Sequence, residues 1–160
     1  MIDGCARTLT IITAVGAGLT SGVFFAFSTF VMTALGRLPD ADGMSAMNAI
    51  NRAAPTPLFM LALLGTGTVC LPLSVIAARR LDEPWAVHLL IGSSLYLISI
   101  VLTIVYHVPR NNALALVDPR APGAADAWAR YISRWTAWNH VRTISSFGGS
   151  VTFILAMRAV

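Results

Sequence analysis

The chain contains no lysine: all 11 of its basic residues are arginine, so neither a lysine Schiff base nor a P-loop lysine can be built from it. Charge of either sign is scarce, at 11% of 160 residues against about one quarter in an ordinary soluble domain. The seven acidic residues all fall outside the apolar runs, and only Asp118 and Asp126 stand near His107 and His140 in sequence. An iron site of two histidines and a carboxylate therefore has little to draw on, and no metal ligand is assigned. H-E-x-x-H and G-x-S-x-G are both missing, and a lone G-x-G at Gly16 and Gly18 lies inside an apolar run. There it reads as close helix packing, with Gly18 and Gly22 as the contact, rather than as a nucleotide loop. Cys5 and Cys70 form no C-x-x-C, which argues against a disulfide framework and against thiol redox chemistry.

What is present is apolar. Hydrophobic residues make up 56% of the chain and the mean hydropathy is +0.72, more than a water-soluble core of this size needs. Four runs carry most of it, approximately Thr8 to Leu35, Pro57 to Ala78, Trp85 to Tyr106 and Thr136 to Met157. Each reaches the ~20 residues that cross about 30 Å of hydrocarbon as a helix. The first ends in Arg37 rather than at a small-residue cleavage site and exceeds a signal-peptide core, so it reads as a retained span. Only helices and closed barrels satisfy the backbone in lipid. The expected fold is all-α: a single domain over residues 1–160, an integral membrane four-helix bundle with short interfacial helical segments on one side. The net charge of +4 is spread along the chain and marks no nucleic-acid face.

The connections are unequal. Arg79 to Pro84 is a tight turn on the side of the termini, whereas residues 37–56 and 107–134 are long and gather the unusual polar residues at the other end. Within the first, Met44, Met47 and Ile50 recur at helical spacing, as in a short interfacial helix closed by Pro55 and Pro57. In the second, Asp126 opens a helical stretch that can run straight into the fourth span as one long helix.

That helix raises the functional question. At 100° per residue, Trp128, Tyr131, Trp135, Trp138, Asn139, Arg142 and Ser146 share one arc of roughly 100°. An aromatic belt with a snorkelling arginine explains the rings, but it explains the Asn139 and Arg142 pair less well. Polar groups near hydrocarbon are costly and usually face a bundle interior or cavity. His140 falls about 160° from Arg142 on the same wheel, so one narrow site cannot take both from this helix. At the end of the third span, Pro109 is expected to stop the helix and to present Arg110, Asn111 and Asn112 on a turn at the same membrane end. Asn48 and Asn51 of the interfacial helix can join them or remain solvated, and one of the paired asparagines can equally be a helix cap.

The first span ending FFAFSTFVMTAL, the N-x-x-N of Asn48 and Asn51 before a proline, the VPRNNAL turn and the W-x-x-Y-x-x-x-W-T-x-W-N-H-V-R-T run from Trp128 to Thr143 together resemble the anthrone-oxygenase-like integral membrane family, over nearly the whole chain. The last motif is the specific part. The resemblance implies four spans and, from the family's named fungal members, oxidation of polyketide anthrones to anthraquinones without an evident cofactor. Where the family turn reads V-P-L-N, this chain has Arg110, which adds a charge.

Such chemistry needs a base for an activated carbon-bound proton, donors for the enolate, and an apolar chamber where oxygen meets the carbanion. The candidate catalytic residues are His140 or His107 as base, with Arg142 and Asn139 as oxyanion donors. Candidate substrate-binding residues are Trp135, Trp138, Tyr131, Arg110, Asn111, Asn112, Asn48 and Asn51. His88, at the opposite end, is expected to be structural or merely exposed. No cofactor is assigned. The expected partners are a lipophilic or aromatic small molecule, membrane lipid and, as an open case, a second copy of the chain. The alternative is a non-catalytic membrane subunit or lipophile-binding protein using the same aromatic face. Setting aside the site arginines, positive-inside counting favours cytoplasmic termini in the cell membrane.

Overall fold

The computed structural model describes residues 4–159, and those residues form helices joined by short connections. Three helices are long and apolar enough to cross a membrane: α1 (Gly4–Leu35), α3 (Pro57–Ala78) and α4 (Pro84–Ala115). Between the first two lies the short amphipathic α2 (Asp40–Ala53). The last, α5 (Ala124–Arg158), runs unbroken for 35 residues, about 52 Å at 1.5 Å per residue; it contains the fourth expected run but is not among the helices apolar enough to cross a membrane, so three spans rather than four are shown. Residues 116–123 link α4 to α5, and Gly123 turns the chain into α5 with a φ of 84° that only glycine adopts without strain. Proline at the first position of α3, with the Thr56 hydroxyl accepting from the Phe59 N–H at 3.2 Å, starts that helix where the sequence leads one to expect it.

α5 packs between α1 and α4, and α3 closes the ring between α4 and α1. Small residues allow the close crossings. A side chain at Gly149 would meet the Gly92 carbonyl at 3.1 Å, and one at Gly16 would collide with Thr66. Of the expected Gly18 and Gly22 contact only the first half is used: a side chain at Gly18 would crowd Ser150 of α5 at 3.2 Å, whereas Gly22 faces open space. Leu73, Leu89, Tyr96 and Phe153 centre the core between the long helices. A second core at the other end joins Met32, Met44, Met47 and Leu114 to the aromatic face of α5 through Trp128, Tyr131 and Trp135.

α4 does not stop at Pro109. It continues to Ala115 through a π-turn over Thr103–His107, in which the Val108 N–H reaches back to the Thr103 carbonyl. Proline lacks an N–H and crowds the carbonyl four residues earlier; the wider π register just ahead of it absorbs both problems. Arg110, Asn111 and Asn112 are therefore successive helical residues about 100° apart, not a turn. π-turns also interrupt α1 at Phe27–Val31 and α3 at Leu61–Gly65. All three long apolar helices are thus widened toward the same end, the end covered by α2.

Candidate functional site

Each π-turn is met by a polar side chain. The Tyr96 hydroxyl donates to the Leu63 carbonyl within the α3 turn at 2.9 Å. Asn139 gives its amide N–H groups to the Phe24 carbonyl at 2.8 Å and to Ser28 Oγ at 2.9 Å, beside the α1 turn. His107 sits in the α4 turn with Nδ1 3.1 Å from the Leu102 carbonyl. Widened turns misalign backbone donors and acceptors, and buried carbonyls need partners; these three side chains supply them from two helices.

Between the widened ends lies a chamber of about 450 Å³, with α2 and residues 53–55 over it. That size falls in the ~300–1,000 Å³ range of small-molecule sites. Its walls are mainly apolar, among them Phe24, Phe27, Met47, Phe59, Met60 and Leu63, and no carboxylate stands in them. Five of the sequence candidates line it: His107, Arg142, Trp135, Asn111 and Asn51.

Arg142 is 6% exposed. Its guanidinium lies over the Phe24 ring, 3.7 Å from the centroid, and its Nε–H has no hydrogen-bond partner. A ring face partly compensates a buried cation, but an arginine has five N–H donors to satisfy. This one therefore presents unmet donor capacity and uncompensated charge at the chamber wall. His107 is fully enclosed, edge-on to Trp135 with ring centroids 5.0 Å apart. A carbonyl oxygen can only accept, so the bond to Leu102 places a proton on Nδ1 and leaves Nε2 of the neutral ring with its lone pair. Nε2 has no partner.

The same reasoning orients the amides. Trp135 Nε1–H, which can only donate, meets one atom of Asn111 at 2.9 Å, so that atom is Oδ1. The Tyr131 hydroxyl donates to it as well, at 2.8 Å, and the Asn111 amide N–H then donates to Asn51 Oδ1 at 3.0 Å. Burial pushes the Tyr131 phenol well above its usual range, which keeps this donor protonated. The chain of bonds ties α5 to α4 and α4 to α2 at the chamber's edge.

The remaining candidates lie elsewhere. Asn139 is fully buried and committed to α1, outside the chamber lining. Trp138, at the edge of the predicted arc, is 44% exposed and packs on Tyr106 outside the bundle, with ring centroids 5.3 Å apart. His140 is exposed in a separate groove beside Met32 and Thr136, so the structure does not bring it to the chamber. Arg110 lies over Tyr106 and lines a second cavity on the far side of Tyr131 and Trp135. Asn112 is exposed, and Asn48 is buried without lining the chamber, its Oδ1 unpartnered. His88 bonds the Pro84 carbonyl at the opposite end of α4. The sequence reading missed Phe24, the ring beneath Arg142, and the π-turns that open the space. Nothing in a run of apolar residues distinguishes one phenylalanine from its neighbours.

Among the described residues no three His, Cys, Asp or Glu side chains come together as a metal-ligating group. The chamber instead brings one imidazole and one guanidinium to mainly apolar walls, with His107 Nε2 and Arg142 Nε both buried and without a hydrogen bond. No curated protein and no solved structure matches the chain. The family model described as anthrone oxygenase matches residues 44–152, from α2 into the second half of α5. That stretch supplies every polar side chain placed in the chamber, and the chain belongs to the anthrone oxygenase family.

Proposed function

We propose that this chain is a membrane-embedded, cofactor-independent oxygenase acting on an anthrone-like aromatic polyketide or a related flat lipophilic substrate. The observation that carries this reading is the pairing, in one apolar chamber without a carboxylate, of an unpartnered His107 Nε2 with an uncompensated Arg142 guanidinium. A base and a cation in a mainly apolar site suit a substrate that is neutral when it enters and anionic when it reacts.

In an anthrone, a CH₂ group lies across the central ring from a carbonyl. His107 Nε2 takes one proton from that carbon, and the charge delocalises to the carbonyl oxygen, where the Arg142 guanidinium holds it. The electron-rich carbon reduces O₂ and bonds to it, and the proton returned from His107 completes a hydroperoxide. Loss of the second C–H proton then breaks the O–O bond, leaving a new carbonyl on carbon and releasing water. The balance is one anthrone and one O₂ to one anthraquinone and one water. Trp135, Phe24 and Phe27 supply faces for a flat ring system. With α5 crossing the bilayer as a fourth span beside the three apolar helices and the termini assigned to the cytoplasm, the chamber lies toward the opposite membrane end.

The test uses the purified protein in lipid nanodiscs, with anthrone as substrate, an oxygen electrode, and absorbance at the quinone band. The expected result is enzyme-dependent consumption of one O₂ per anthraquinone, with one atom of ¹⁸O₂ in the product. If oxidation stays at the rate of empty nanodiscs for anthrone and its hydroxylated analogues, the enzymatic reading is wrong. A copurified lipophile with no turnover would establish the binding-protein alternative.

A further inference from the structure

A second concavity, separate from the chamber, lies between α4 and α5 at the same end of the bundle, with a volume of about 180 Å³. Three arginines line it, Arg110 from α4 with Arg130 and Arg134 from α5. Tyr106 and Tyr131 stand beside them, Leu114 and Val117 form an apolar floor, and no carboxylate lines it. Asp126, one turn before Arg130, is exposed and is not in the wall.

This arrangement is unfavourable as it stands. Like charges at i and i+4, as in Arg130 and Arg134, destabilise a helix, and a third cation from the neighbouring helix adds to the repulsion. All three arginines are exposed, yet all three line one small cavity. Guanidinium forks match tetrahedral oxyanions, taking two oxygens at a time. The space is enough for a phosphate and its first ester carbons but not for a whole lipid. Just below, the outward face of α4 presents Val101, Ile104 and Val105 to the surroundings, a surface suited to acyl chains.

We propose that Arg110, Arg130 and Arg134 form a phosphate-binding site at the membrane surface, distinct from the chamber. The shared chemistry is a phosphate oxyanion, which a phospholipid headgroup or free phosphate can both supply; the apolar face of α4 favours the headgroup. The site does not rest on the oxygenase reading.

The test takes the full chain, delipidated in a non-ionic detergent, and three probes: dihexanoylphosphatidylglycerol, dihexanoylglycerol without the phosphate, and inorganic phosphate. Binding is read by native mass spectrometry and by the fluorescence of the aromatic residues that line the cavity. Phosphatidylglycerol should bind at least tenfold more tightly than dihexanoylglycerol, and added salt should weaken it. The Arg130→Gln/Arg134→Gln double variant should lose about tenfold or more of that affinity, as expected for loss of charge-assisted hydrogen bonds. Both residues are exposed, and an unchanged melting temperature would show that the double variant folds. Inorganic phosphate binding as tightly as the phospholipid would uphold the oxyanion site and assign it to a soluble phosphate. Equal binding of phosphatidylglycerol and dihexanoylglycerol, no binding of any probe, or wild-type affinity in the double variant would overturn the proposal.

Discussion

The Arg142 guanidinium stacks on Phe24 at 3.7 Å, so the cation on α5 rests on a ring from α1 at the chamber wall, its buried Nε–H unpartnered. A flat, delocalised cation suits that position; an ammonium, compact and strongly hydrated, does not. Arg142→Lys should therefore fold and insert normally yet lower anthrone oxidation by roughly 10²–10³, the usual effect of losing an oxyanion donor. Steady-state oxygen uptake measures it, and a wild-type rate would return Arg142 to a snorkelling role.

The two histidines separate cleanly. His107→Gln keeps a polar side chain of similar reach but removes the base, and should slow turnover by about 10²–10⁴. His140→Ala, altering an exposed residue outside the chamber, should leave turnover unchanged. The opposite pattern would move the reaction out of the chamber altogether. Comparing the deuterium isotope effect at the reacting CH₂ in the two variants tells whether proton removal is the step affected.

Asn139 should behave as a structural residue. Asn139→Ala leaves the Phe24 carbonyl and the Ser28 hydroxyl without their donor beside a π-turn, at a cost of about 1–3 kcal/mol for buried polar groups. Thermal unfolding in detergent should register that loss, while the protein that remains folded still oxidises anthrone. A stable but inactive variant would instead mark Asn139 as an oxyanion donor.

Asn111→Leu removes the acceptor shared by Tyr131 and Trp135 and the donor to Asn51. Asn111 carries the side-chain bond from α4 to α2, so hydrogen exchange should speed up in α2 more than in the long helices. The Trp135 indole N–H should lose its protection in the same sample. Uniform protection across α2 in wild type and variant would show that apolar packing alone holds the helix over the chamber.

Exhaustive chelation should leave the oxidation rate unchanged, since the proposed reaction uses only the imidazole, the guanidinium and the substrate's own electrons. A rate lost on chelation and restored by one equivalent of iron or copper would require a metal-dependent mechanism.

Much of the architecture was legible because helical periodicity and apolar length are local properties. The run from Pro57 to Ala78, the Met44, Met47 and Ile50 stripe of α2, and the continuity of α5 from Ala124 to Arg158 are each visible in their own residues. So was the divergence of His140 from Arg142, which 100° per residue imposes on any straight helix. The expectation at Pro109 did not hold, because the hydrogen-bond register ahead of it shifts to π, and a proline's effect depends on that register.

The amino-acid sequence by itself determined that this chain forms apolar helices and gathers its polar residues at one end, since each segment's composition sets whether its backbone can be buried in lipid. Tertiary structure alone decided which of those residues share a chamber. Trp135 faces inward and Trp138 outward although three positions separate them. Asn139 is committed to α1 while Arg142, one turn further, remains unpaired. Arg110 and Asn111, adjacent in the chain, open into different cavities. The reason is that a side chain's partners come from other helices. Tyr96, Asn139 and His107 satisfy carbonyls at the widened turns of α3, α1 and α4, and those contacts, absent from any local pattern, open the space in which a substrate can sit.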